Sequence, residues 1–292
     1  MKRLAEVQSH IASMGSLSDL VGAMRALASM RMQEAQRALP AARRYAQSVA
    51  GAVADSLLLS PPVSMEVGPR TAWVLCLAEH GFVGAFNRQL IDAAAAVRAK
   101  GDHWLVLGSR GAAVAEEHGQ VVQWLRPMAS HCAAVPEAVE ALAGEIYRLL
   151  AEGHVDRVEL LNIRFHGNAA GEVARRRLLP VEPTESETPE EPGKERFRQL
   201  PLHNLAPRQL QEQLLAEYVF ARLSEAAVES LASENAARFA AMASAFDNVS
   251  GKLQTLHHEA NQARQEEITT ELLDLVVGAM ALEPGHDGRV PG

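Results

Sequence analysis

Few residues in this chain stand at spacings that could do covalent chemistry. Gly108-Ser109-Arg110-Gly111 follows an apolar run and has the outline of a phosphate turn, in which backbone N–H groups cradle an anion. It lacks the lysine and hydroxyl residue of a GxxxxGK[ST] loop and the spacing of GxGxxG, so an ordinary turn explains it better. There is no HExxH, no GxSxG, and no set of His, Cys and acids at ligand spacing. His257 and His258 are adjacent, so on a helix they point in different directions and cannot share a ligand. The two cysteines, Cys76 and Cys132, form neither a CxxC pair nor a metal spacing, and Cys76 sits in an apolar run that suits a buried thiol in a reducing compartment. The sequence therefore predicts no active site, no cofactor and no metal.

The polar residues with informative spacing lie on one long helical stretch near the C-terminus. Glu234 and Arg238 are four apart and share a face, as in an ordinary intrahelical ion pair. Arg264, Gln265 and Thr269 place donors and an acceptor one turn apart, which fits either a solvated face or a surface that touches other proteins.

What positions these residues is a heptad seam. Phe239, Met242, Phe246, Val249, Leu253, Leu256, Ala260 and Ala263 recur at alternating steps of three and four, the pattern of a helix wound left-handed around a partner. The helical pattern extends back to Pro207, about 75 residues and on the order of 110 Å at 1.5 Å per residue. That is too long for an ordinary globular core and implies a helix that leaves the body of the protein. The partner is read in the first sixty residues. Leu4, Val7, Ile11 and Met14, then Leu17, Leu20, Met24 and Leu27, give two more runs joined by a step of three where four is due, a local overwinding. A weaker pattern continues through Tyr45, Val49 and Leu57. Pro40 should kink or interrupt this helix, and Pro61-Pro62 end it.

Between the helices the period changes. Thr71–Leu77 is a continuous apolar run of strand length, as in a parallel strand covered on both faces. Further strands are read at Trp104–Leu107, Val121–Leu125, Val155–Arg164 and Glu172–Val181, with helices at Arg88–Lys100, up to His118, and Val135–Glu152. Strands alternating with helices argue for a small α/β domain with a mostly parallel sheet. From Glu182 to Glu195 there are six glutamates and three prolines, a flexible acidic loop. Arg175, Arg176 and Arg177 precede it and read either as an anion or partner site or, better, as a solvated strand end balanced by those glutamates. The expected organisation is a coiled-coil helix over 1–60, an α/β domain over 70–181, the acidic loop and linker over 182–206, a second coiled-coil helix over 207–282, and a tail over 283–292 that starts at Glu283-Pro284-Gly285. The fold class is thus a small Rossmann-like α/β domain between N- and C-terminal helices that form a long antiparallel α-helical coiled coil.

Three stretches of the last helix resemble the gamma-subunit family of F-type ATP synthases, the central rotor shaft: Ser233-Glu234-x-Ala236-Ala237-Arg238 with Ala241-Met242; Asn261-x-Ala263-Arg264-Gln265 with Ile268-Thr269-x-Glu271-Leu272; and Gly278-Ala279-x-Ala281-Leu282. The first helix keeps register with Ile11-x-Ser13, Ala23-Met24, Ala28 and Ala35-Gln36. Glu79-His80-Gly81-Phe82-Val83-Gly84-Ala85-Phe86-Asn87 is similar to the family's loop after its first strand. The resemblance implies a non-catalytic shaft that couples ion translocation to ATP synthesis or hydrolysis. Its partners would be a ring of alpha- and beta-type subunits, an epsilon-type accessory subunit and a membrane rotor ring. Its place would be peripheral, on the cytoplasmic face of the cell membrane. By the same resemblance Arg264, Gln265, Thr269, Glu234 and Arg238, with Met24 and Arg25 opposite, would touch the catalytic ring. Ser16, Leu17, Asp19, Val21 and Gly22 stand where the family carries lysines and threonines, Phe246 where it has a small hydroxyl residue, and Val83 where it has cysteine. With these departures the resemblance implies a divergent or alternate F-type ATPase.

Composition agrees with helix seams more than with a large core: 48% of residues are hydrophobic but only 4% aromatic. A net charge of −8 argues against non-specific nucleic-acid binding. No eighteen-residue apolar segment is present, so no transmembrane helix is expected, and the N-terminus is too polar for a signal peptide. Two other readings stay open on the residues alone. One is an enzyme whose α/β domain binds a small phosphorylated ligand and whose helices are dimerisation arms; the other is a coiled-coil adaptor.

Overall fold

The computed structural model describes residues 2–57, 59, 68–167, 169–181 and 203–282. Pro61-Pro62, the acidic run 182–195 and the tail 283–292 lie outside the described residues. Two helices carry the ends of the chain, α1 (Lys2–Leu57) and α5 (Pro207–Leu282). Between them come β1 (Thr71–Cys76), α2 (Phe86–Ala95), β2 (His103–Leu107), α3 (Ser109–Glu117), β3 (Trp124–Arg126), α4 (Val135–Ala151), β4 (Arg157–His166) and β5 (Ala169–Leu179). The chain divides into two compact units, one of Arg25–Ala241, the other of Met1–Met24 with Met242–Gly292. The division cuts both long helices instead of following their ends.

In the smaller unit α1 and α5 run antiparallel. Gly22 faces Phe246, whose ring lies 3.7 Å from where a Cβ on the glycine would stand. At the other end Arg3 pairs with Glu266 at 3.6 Å, so residue numbers rise on one helix as they fall on the other. Along α5, Met242, Val249 and Ala263 are buried and Phe246, Leu253, Leu256 and Ala260 half-buried, at steps of three and four.

The seam of α1 differs from the sequence reading. Leu4, Val7, Ile11 and Met14 are half-buried as expected, but the next inward positions are Ser18 and Val21. Leu17 and Leu20 are 40% and 58% exposed. The step after Met14 is therefore four, and no overwinding occurs. The same register continues in the larger unit through Ala28, Met32, Ala35, Leu39, Ala46, Val49 and Val53, all buried, whereas Leu27 is 53% exposed and Tyr45 turns outward. Small residues such as Ser18, Ala28 and Ala35 hold the inward face, and the larger leucines form a second apolar stripe beside it. Pro40 does not interrupt α1. It and Gln36 both lie on the exposed side, so the carbonyl that loses its N–H partner has water to turn to.

The larger unit holds a five-stranded sheet of order β3-β2-β1-β4-β5, parallel except for β5. Every residue of β1 is buried. Because side chains alternate across a strand, Ala72, Val74 and Cys76 pack on one face with α4 and the sheet-covering parts of α1 and α5. Trp73, Leu75 and Leu77 pack on the other with α2 and α3. β3 is shorter than Val121–Leu125, since Val121 is 64% exposed and the Gln123 side chain, not a backbone group, accepts the Trp104 N–H at 2.6 Å.

Candidate functional site

In an open sheet of this strand order, ligands bind at the carboxyl ends of the two strands where the order reverses, here β1 and β4. Their ladder ends at Leu75 and Leu161, leaving carbonyls of both strands to be satisfied. Helix α5 does this. The Ser230 hydroxyl donates to the Cys76 carbonyl at 2.8 Å, and Ser233, one turn on, donates to the Ile163 carbonyl at 3.0 Å. Glu229 accepts from the Asn162 amide at 2.8 Å and pairs with Arg43. The crevice is thus filled by the chain's own helix.

The adjoining phosphate turn is filled as well. The Glu79 carboxylate accepts the Ser109 N–H at 3.0 Å and the Met128 N–H at 2.8 Å, so it occupies the first amide of α3, where an anion would sit. The glycines there serve packing. A Cβ on Gly108, whose φ is 116°, would come within 2.3 Å of the Leu77 carbonyl oxygen, and one on Gly111 within 2.2 Å of the Leu77 Cβ.

Arg238 and Glu234 extend this anchor. Arg238 donates to Glu234 at 2.5 Å, to the Asn235 side chain at 3.0 Å, and to the backbone carbonyls of His80 and Gly81 at 3.1 and 3.2 Å. The two side chains are only 10% and 4% exposed. Burial drives the Glu234 carboxyl above the ordinary carboxylate range, against the pull of Arg238. The pair is intrahelical, as its spacing implies, but it faces inward and clamps the loop after β1 instead of presenting itself to other proteins.

The three consecutive arginines of β5 are also turned to internal partners. Arg175 and Arg177 reach the buried Glu159 at 3.1 Å each, Arg175 also lies 4.8 Å over the Trp73 ring, and Arg176, on the opposite face, pairs with Glu225 at 3.0 Å. The expected balance by the acidic run falls on residues outside the described ones. Cys76 is fully enclosed, and burial pushes its thiol up to about 12.

Arg264, Gln265 and Thr269 lie exposed on α5, as do His257 and His258. Thr269 bonds back to the Gln265 carbonyl at 2.8 Å, which leaves its oxygen lone pairs outward. Met24, Arg25 and Phe239 are half-buried. The structure therefore brings Glu234 and Arg238 together with the β1 loop, and keeps Arg264, Gln265 and Thr269 on a separate solvent-facing stretch. Sequence reasoning named Ser233 and Glu79 only as parts of the resemblance, without a role, and did not mark Ser230 or Glu229. Two serines three apart inside an apolar helix face were the available signal.

The ATP synthase family model matches residues 3–282. An ATP synthase gamma chain from Thermobifida fusca (strain YX) is 31% identical over 304 residues, covering 98% of this chain and 98% of its own length. The chain belongs to the ATP synthase gamma-chain family. A gamma chain from Saccharopolyspora erythraea is 30% identical, covering 97% of this chain and 98% of its own. Among solved structures, the rotor of the Euglena gracilis mitochondrial ATP synthase matches with a TM-score of 0.59 at 16% identity, covering 91% of this chain and 98% of that one. The central stalk of the Tetrahymena thermophila enzyme gives 0.55 at 17%, covering 77% and 99%. At such identities these structures show a shared fold. As a gamma chain, the protein is a non-catalytic subunit, the central rotor shaft of an ATP synthase. Among the described residues no helix is long and apolar enough to cross a membrane, and its place is peripheral to the membrane-bound complex. The enzyme reading with dimerisation arms finds no support, because both features that could have held a phosphate are occupied from within.

Proposed function

We propose that this gamma chain acts on a surrounding ring of alpha- and beta-type subunits through the outward side of α5, with Arg264, Gln265 and Thr269 as contacts. The observation that supports this is their exposure beside a seam already closed by Ala260 and Ala263, on a helix whose end also leaves Ile268, Leu272 and Val276 more than half exposed. An asymmetric shaft makes different contacts with each catalytic subunit and so favours a different conformation in each. Rotation passes these preferences around the ring. This is a population shift driven by differential contact, with the chemistry done elsewhere. Met24 and Arg25, on α1, are further proposed contacts. Glu234 and Arg238 act indirectly, by holding the β1 loop. The complex would also include an epsilon-type subunit and a membrane rotor ring, on the cytoplasmic face of the cell membrane.

Alanine at both Arg264 and Gln265 tests this. Exposed helix positions accept alanine well, so the variant melts like the parent, while ATP turnover per assembled complex and its coupling to ion movement fall. Unchanged turnover in a fully assembled complex removes these residues from the contact surface.

A further inference from the structure

Gly22 stands apart among the glycines of the long helices. A glycine inside a helix is destabilising relative to alanine, so it calls for a reason. A Cβ at Gly15, Gly51, Gly251 or Gly278 would meet nothing within 4 Å. A Cβ at Gly22 would lie 3.7 and 3.9 Å from two ring carbons of Phe246. Among the described glycines of α1 and α5, this one alone has a side chain laid over it.

The surroundings have the form of a knob and its hole. A seam residue inserts among positions i, i+3, i+4 and i+7 of the facing helix, and Ser18, Val21 and Gly22 fill the first three places of such a set. Val21 is buried, and Ser18 and Gly22 are half-buried. On α5 the neighbouring seam positions are Met242 and Val249, both buried. Aliphatic contact is non-directional, so those residues alone hold the turn of α1 about its own axis only loosely. A flat phenyl group over a glycine holds it firmly. Turning α1 by one residue, about 100°, would put the Cβ of Val21 or Ala23 where the phenyl group lies.

We propose that the seating of Phe246 over Gly22 fixes the rotational phase of α1. Phe246 is thereby a positioning residue for Met24, which lies two residues on and about 200° further round the helix. The proposal rests on the reading of Met24 as a contact of the surrounding subunits, and adds to it the residue that aims the contact.

The test uses the full chain and its assembled complex, with two readouts: the melting temperature of the chain, and the ratio of ions moved to ATP turned over in the complex. A Cβ at Gly22 meets the phenyl group at ordinary contact distance, so Gly22→Ala should melt at or slightly above the parent temperature and couple as the parent does. Gly22→Leu drives the phenyl group out. Its melting temperature should fall by roughly 3–10 °C, and its coupling ratio should fall even at temperatures well below the melt. Phe246→Ala added to Gly22→Leu exchanges large for small across the seam and should restore a large part of both losses. Three results overturn the proposal: Gly22→Leu melting and coupling like the parent, which takes Phe246 away from Gly22; a lowered melting temperature with an unchanged coupling ratio, which makes the contact packing alone; or no recovery in the exchanged pair. Met24→Ala separates the proposal from the reading beneath it. Unchanged coupling in that variant removes Met24 from the contact surface and overturns both, whereas lost coupling there beside intact coupling in Gly22→Leu overturns the proposal alone.

Discussion

Replacing Arg238 by methionine tests how the long helix is fastened to the sheet. Methionine keeps much of the bulk but removes the charge and all four hydrogen bonds of the guanidinium. The carbonyls of His80 and Gly81 belong to a partly exposed loop and can turn to water, so their loss adds little. Glu234 is different. Its side chain is 4% exposed, and without Arg238 only the Glu79 N–H and the His80 side chain are left to offset its buried charge. Breaking a buried pair by removing one partner costs about 3–5 kcal/mol, and this term decides the outcome. The pH dependence has a definite sign. Burial already raises the Glu234 pKa, so the folded chain binds the proton more tightly than the unfolded one. Stability is then full below the ordinary carboxyl range and falls as pH rises through the raised folded value. Removing Arg238 raises that value further and extends the loss upward in pH. The variant should therefore lose more stability at pH 7 than at pH 5, and Glu234→Gln added to it should restore a large part. Urea unfolding followed by tryptophan fluorescence measures this directly, since Trp73, Trp104 and Trp124 all lie in the Arg25–Ala241 unit. A loss below about 1 kcal/mol at pH 7, the same at pH 5, would show that the pair is not the clamp described.

Two further outcomes test the register of the coiled coil. Phe246→Asp replaces the ring that packs over Gly22 with a carboxylate in the seam, at a cost of several kcal/mol; far-UV circular dichroism should show lost helix and the complex should fail to assemble, whereas a variant that melts and assembles like the parent places Phe246 outside the seam. Leu20→Lys should change the stability of the isolated chain by no more than about 0.5 kcal/mol, because Leu20 is 58% exposed; a thermal melt lowered by many degrees would reinstate the overwound register in which Leu20 is inward.

Much of the architecture was legible because periodicity reports burial. The α5 seam is spaced at three and four with large residues inward and polar ones outward, and β1 is apolar throughout because both its faces are covered. α1 was harder. Its inward face sets Ser18, Ala28, Ala35 and Ala46 among Val21, Met32 and Leu39, and its outer flank carries Leu17, Leu20 and Leu27. A reading that follows the largest apolar residues takes the wrong stripe, since residue size does not reveal which of two neighbouring stripes meets the partner helix. Pro40 misled for a related reason: its effect on a helix depends on whether the freed carbonyl meets water, which sequence alone does not state. The polar anchor was invisible because serine, glutamate and arginine on a helix read as solvated by default. Only the fold shows that Ser230 and Ser233 stand over two unpaired strand carbonyls.

That anchor also explains how an α/β sheet with the strand order of nucleotide-binding folds serves a subunit without an active site. Fold does not dictate function; what matters is what stands at the point where the strand order reverses. In a ligand-binding member that crevice is open and the first βα turn offers amides to a phosphate. Here Glu79 takes the Ser109 amide of the β2–α3 turn and the Met128 amide, Ser230 and Ser233 take the strand ends, and Glu229 and Arg238 bind the flanking segments, so that α5 is the occupant of the site. The hydrogen bonds that would orient a small molecule instead fix a helix against rotation and sliding on the sheet. For a shaft that must carry torque, a helix bonded at both strand ends of the crevice is a stiffer attachment than apolar packing alone, because apolar contact is non-directional and hydrogen bonds weaken steeply as their angle departs from linearity.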